Sequence, residues 1–144
     1  MSVGAILKAK GSDVETISGD ATVADAVARL RDAEIGALVV SSDGQTVEGV
    51  LSERDVVGAL ADHAGDVLNR KVADIMTSRV ATCSPEDGVE KVMLEMTELR
   101  ARHFPVVEEG RLVGIVSIGD VVKNRLDEVQ LEKKVLRDSY IAGR

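Results

Sequence analysis

Residues 49–55 read GVLSERD, and residues 114–120 read GIVSIGD. Each string is a short apolar run, then serine, then aspartate three residues on, followed by an apolar stretch with helical spacing. Asp55 and Asp120 are 65 residues apart. The likeness continues upstream: Val14 and Thr16 match Val80 and Thr82, Val23 matches Val89, and LVV at 38–40 matches PVV at 105–107, with the offset drifting between 65 and 67. An internal period of this kind decides an architecture before any single element does. It predicts a mixed α/β (α+β) fold made of two tandem β-α-β-β-α units, packed together as a pseudo-two-fold pair.

Composition sets the bounds. The chain has 144 residues, of which 44% are hydrophobic, so it can bury a core. One unit of about 60 residues is marginal alone, and two units covering each other's sheet faces remedy that. Phe104 and Tyr140 are the sole aromatics, so the core must be Val, Leu, Ile and Ala. A net charge of −7 argues against general nucleic-acid binding, which uses Lys and Arg to neutralise phosphates. A small anion held by a few local cations remains compatible with it. The lone cysteine, Cys83, forms no internal disulfide, which favours a reducing setting. No apolar run approaches the roughly 20 residues that span a bilayer, and no basic-then-apolar leader opens the chain. The expected location is the cytoplasm, with no membrane partner.

Hydrophobic spacing predicts a short helix at 3–10, a strand at 14–17, a helix from Val23 with Thr22 as N-cap, and a buried strand at 37–40. Asp43-Gly44 marks a hairpin, a strand returns at 47–51, and Ser52 caps a helix to about His63. The second copy predicts a strand at 80–83, a helix at 89–100, strands at 104–107 and 112–117, and a long helix starting near Ile118, with no Gly or Pro between Gly119 and Gly143. The expected organisation is a first repeat with its N-terminal helix at 1–64, a linker at 65–78, a second repeat at 79–124 and a helical extension at 125–144.

The GhhSxxD string (h apolar) has a complete structural explanation. Ser52 and Ser117 satisfy free amides at a helix start, and Asp55 and Asp120 sit at N3, where the helix dipole favours a carboxylate. The same geometry suits a ligand. Helix N-termini receive anions, and an acidic residue can accept hydrogen bonds from vicinal ribose hydroxyls. Recurrence of the whole string at equivalent places favours the second use.

With the VxDIMT-like segment at 72–77, these features make the chain similar to a tandem CBS domain pair over about residues 3–124, in a stand-alone form. That resemblance implies two clefts between the repeats that hold an adenosine-containing ligand such as AMP, ADP or ATP, with S-adenosylmethionine or a dinucleotide as alternatives. It implies that the motif aspartate holds the ribose and that the strand at "xhPV" contacts the base. Carried over, the second repeat supplies Thr82, His103, Phe104, Pro105, Ser117 and Asp120, with Arg102 and Arg100 toward the phosphates. The first supplies Thr16, Ser52, Asp55, Gly36 and Ala37, with Arg54 as its local cation. The second cleft, with Asp120 on the ribose, is the expected principal site.

Other constellations carry less. Cys83 and His103 lack an oxyanion loop or a third partner, so a buried structural cysteine is expected. His63 and His103 have no partners at metal-ligand spacing, and no metal or redox cofactor is expected. Val122, Leu126, Val129, Lys133, Leu136 and Tyr140 form a 4, 3, 4, 3, 4 stripe on the last helix. It folds back on the module or meets a second chain, and a homodimer is the expectation. The resulting reading is a non-enzymatic sensor acting on a separate, unidentified protein, against a purely structural adaptor as the alternative.

Overall fold

The structure, a computed structural model, describes residues 1–142; Gly143, named above as the end of the last helix, lies outside them. Helix α1 (Val3–Lys10) precedes β1 (Thr16–Ile17), α2 (Val23–Ala33), β2 (Ala37–Val40), β3 (Gly49–Ser52) and α3 (Glu53–His63). A 3-10 turn (Ala64–Asn69) and the one-turn α4 (Val72–Ile75) join this copy to the next. The second copy has α5 (Val89–Leu99), β4 (His103–Glu108), β5 (Arg111–Ser117) and α6 (Ile118–Ala142).

Strand β2 pairs with β1 in parallel and with β3 antiparallel, and β4 pairs antiparallel with β5. The expected strand at 80–83 is reduced to a single parallel bridge, Cys83 to Val106. Its amide and carbonyl still bond the carbonyl of Pro105 (3.0 Å) and the amide of Val107 (2.8 Å). The hairpins correct the alignment of the repeats. Val40 pairs with Gly49 and Val106 with Gly114. The second hairpin is therefore one residue shorter, and the offset is 66 before it and 65 after it, so Leu38 corresponds to Phe104 rather than to Pro105.

Each repeat's core is completed by a helix from outside it. Val3, Ile6 and Leu7 of α1 pack with Cys83, Val89, Val92, Met96, Phe104, Val106, Val116 and Val121 of the second repeat. This helix precedes the first repeat in the chain and packs on the second. The reason is local: Val3 and Gly4 amides bond the carbonyls of Asp87 and Pro85, and Gly114 leaves room for Leu7. Symmetrically, Val72 of α4 joins Ile17, Ala26, Leu30, Leu38, Val40 and Leu51, with Met76 over Gly49. An alanine Cβ at Gly49 would lie 2.6 Å from Met76 Sδ, and one at Gly114 would lie 2.7 Å from Leu7 Cδ2. The motif glycines thus mark where the crossing segments press on the sheets.

Helix α6 does not fold back. Its first turns pack on α1 and α5 through the buried Val121. Arg125 pairs with Glu90 and Glu128 at 3.1 Å, and Glu128 reaches the N-terminal amine at 3.4 Å. Beyond, Leu126, Val129 and Leu136 are exposed.

Candidate functional site

Ser52 and Asp55 form a reciprocal cap on α3. The Asp55 amide bonds Ser52 Oγ at 3.3 Å, and Asp55 Oδ2 accepts from the Ser52 amide (2.9 Å) and hydroxyl (3.0 Å). Its other oxygen, Oδ1, accepts from the Thr77 hydroxyl at 3.0 Å. Thr77 is held there because its amide and carbonyl both bond Val50, each at 2.9 Å. The segment leading into the second repeat is thereby drawn along β3 of the first.

This crossing makes a cavity of about 620 Å³ whose walls come from both repeats. Ser52, Glu53, Arg54 and Asp55 form one wall; Thr77, Arg79, Val80 and Ala81 form another; Arg100, Ala101, Arg102, His103 and Phe104 form a third, with Gly36 at the edge. Arg54 crosses between the repeats to donate to the Arg100 carbonyl at 3.1 Å. Among the described residues no carboxylate lies within ion-pair distance of Arg54, Arg79, Arg100 or Arg102. Four unpaired guanidiniums on one cavity, in a chain of net charge −7, make a local field that attracts anions.

His103 lies at the seam of the repeats. It pairs with Ser117 across β4 and β5, and a Cβ at Gly36 would meet its ring at 3.2 Å, so glycine lets it sit there. Burial lowers its pKa; Glu53 and Asp120 pull the other way, and Arg102 and Lys10 add to the lowering.

The structure regroups the candidate residues. Ser52, Asp55, Arg54, Gly36, Arg102, His103 and Phe104 share the cavity. Asp120, Ser117, Thr82, Pro105, Thr16 and Ala37 do not line it. Arg102, expected with Asp120, lines the cavity that Asp55 also lines. Asp120 repeats the cap, with its amide to Ser117 Oγ at 3.1 Å and the Ser117 amide to its Oδ2 at 2.9 Å. Its Oδ2 also meets Lys10 Nζ at 2.7 Å. Burial works to raise the Asp120 pKa, but Lys10 and Ser117 outweigh it and hold the carboxyl below its usual value. Pro105 is buried, Thr82 is exposed, and the Thr16 carbonyl accepts from Arg29. Sequence reading missed Arg79 and Thr77, whose place depends on the pairing with Val50.

Cys83 is buried, and burial, with Asp87 and Glu95, pushes its thiol up to about 12, so it stays protonated. Among the described residues no group of three His, Cys, Asp or Glu could hold a metal, and no helix is long and apolar enough to cross a membrane.

A helix-capping aspartate and an anion-attracting wall thus face one cavity built between two repeats of one β/α unit. The chain belongs to the CBS domain family, whose model matches residues 5–62 and 72–127. The crystal structure of the CBS-domain containing protein ATU1752 from Agrobacterium tumefaciens is 42% identical, with a TM-score of 0.84 over 87% of this chain and 99% of that one. The mitochondrial CBS domain-containing protein CBSX3 of Arabidopsis thaliana is 36% identical over 96% of this chain and 70% of its own length. The CBS domain protein PAE2072 from Pyrobaculum aerophilum, solved in complex with AMP, is 26% identical, with a TM-score of 0.74 over 83% of this chain and 89% of that one.

Proposed function

We propose that this chain is a non-enzymatic sensor that binds an adenine nucleotide (AMP, ADP or ATP) beside Asp55 and passes its occupancy to a separate protein. The observation that carries this is the cavity wall of four unpaired arginines facing a helix-capping aspartate. Ribose hydroxyls replace the Thr77 hydroxyl on Asp55, and the phosphates lie toward Arg54, Arg79, Arg100 and Arg102. AMP in the related PAE2072 supports the ligand class. A cationic sulfonium such as that of S-adenosylmethionine meets an unfavourable field in the same place. Because the walls come from both repeats, a ligand that touches both favours one arrangement of the pair. It can then shift partner affinity by its differential binding energy.

The reading includes a homodimer. The exposed stripe through Leu126, Val129 and Leu136 is not covered by its own module, and closed two-fold dimers are the commonest oligomer.

The test compares adenosine with ATP by calorimetry. Wild type should bind ATP more tightly than adenosine, and Arg102→Ala should narrow that gap by roughly tenfold, the equivalent of about 1.4 kcal/mol from one charged hydrogen bond. An Arg102→Ala protein that loses adenosine and ATP affinity equally refutes the phosphate assignment. A wild type that binds no adenosyl ligand leaves the structural adaptor.

A further inference from the structure

The two caps of this chain carry different charges at corresponding positions around them. Hydrogen bonds establish the correspondence. The Glu53 amide bonds the Gly36 carbonyl at 3.0 Å, and the Ile118 amide bonds the Arg102 carbonyl at 2.8 Å. Gly36 therefore stands where Arg102 stands, and Gly119, next in the chain, answers Arg54. Glu34 and Arg100 are the left-handed residues, both at φ 54°, that close α2 and α5. The Ser41 amide bonds the Ile17 carbonyl as the Val107 amide bonds that of Cys83. Counting back from these, Asp13 answers Arg79. Every arginine of the cavity beside Asp55 is thus matched, at the pseudo-symmetric position, by glycine or an acid.

Lys10 completes the contrast. Beside Asp55, the Thr77 amide bonds the Val50 carbonyl and the Thr77 hydroxyl bonds Asp55. Ile115 is the counterpart of Val50. Lys10 Nζ bonds the Ile115 carbonyl at 2.9 Å and Asp120 at 2.7 Å. One ammonium thus makes both bonds, and unlike a hydroxyl it also neutralises the carboxylate that a ribose would use.

We propose that the clefts differ in kind: a phosphorylated nucleoside binds beside Asp55 alone, one per chain, while Asp13, Glu34 and the Lys10–Asp120 pair bar it from the other cleft. This rests on the nucleotide reading above and makes Arg79 and Arg100, against Asp13 and Glu34, the residues that choose between the clefts. Fixed charges of one sign focus the field within a cleft, and reversing them repels a polyanion.

The experiment is calorimetric titration of the full chain with ATP, with AMP in parallel, at about 0.15 M salt, where exposed charges more than about 8 Å apart are largely screened. Wild type should bind one ATP per chain. Asp55→Ala should lose at least tenfold in affinity, as should Asp55→Asn, which keeps a capping side chain in case the alanine variant folds poorly. Asp120→Ala should stay within twofold of wild type. Two sites per chain, or equal losses in the Asp55 and Asp120 variants, overturn the proposal and leave the nucleotide reading standing. No binding of either nucleotide overturns both.

Discussion

Gly49→Ala tests the crossing that builds the cavity. The added Cβ would lie 2.6 Å from Met76 Sδ, 3.1 Å from Met76 Cγ and 2.9 Å from the Thr77 carbonyl oxygen, against an ordinary carbon contact of about 3.5–4.0 Å. The Met76 side chain can swing aside. The Thr77 carbonyl cannot, because it is backbone, bonded to the Val50 amide at 2.9 Å and matched by the reciprocal bond of the same length. Overpacking of this kind costs about 1–3 kcal/mol, and each weakened bridge bond adds roughly 0.5–1.5 kcal/mol. A loss of about 2–4 kcal/mol is expected, read as a lower midpoint in urea at unchanged slope. Gly58→Ala is the control: it lies inside α3 with nothing within 4 Å of its Cβ, and it should gain about 0.5–1 kcal/mol from helix propensity. A Gly49→Ala protein within about 0.5 kcal/mol of wild type, the range of an ordinary surface change, refutes the claim that this glycine admits the crossing segment.

Two further outcomes follow from the geometry. Burial in the folded state lowers the His103 pKa below its ordinary value, so the unfolded chain binds that proton better. This contribution to stability is complete above the unfolded pKa and is lost as the pH falls through it toward the folded value. The urea midpoint should drop between pH 7.5 and 5.5 in wild type and drop less in His103→Gln; equal drops refute it. Truncation after Gln130 keeps Arg125 and Glu128 on their partners and removes the outer stripe. Light scattering should show a dimer for the full chain and a weakened one for the truncation, and a full-length monomer at micromolar concentration removes the dimer.

The sequence by itself carried the repeat, the element types and both caps. Ser52 with Asp55 and Ser117 with Asp120 are local events, set by residues three apart, and local chemistry is written where it acts. Val23, Ala26 and Leu30 of α2, and Val89, Val92 and Met96 of α5, are buried at spacings of three and four, the period by which a helix turns one face to a core. What faces each cap was decided by tertiary structure. Thr77 and Arg79 reach Asp55 because their segment pairs with β3, and Lys10 reaches Asp120 because α1 packs on the second repeat. Neighbours along the chain therefore pointed to Asp120 as the partner of Arg102, while the packing of the repeats set Arg102 beside Asp55. Periodicity reports which face of an element is buried; it does not report which copy of a repeated unit covers that face.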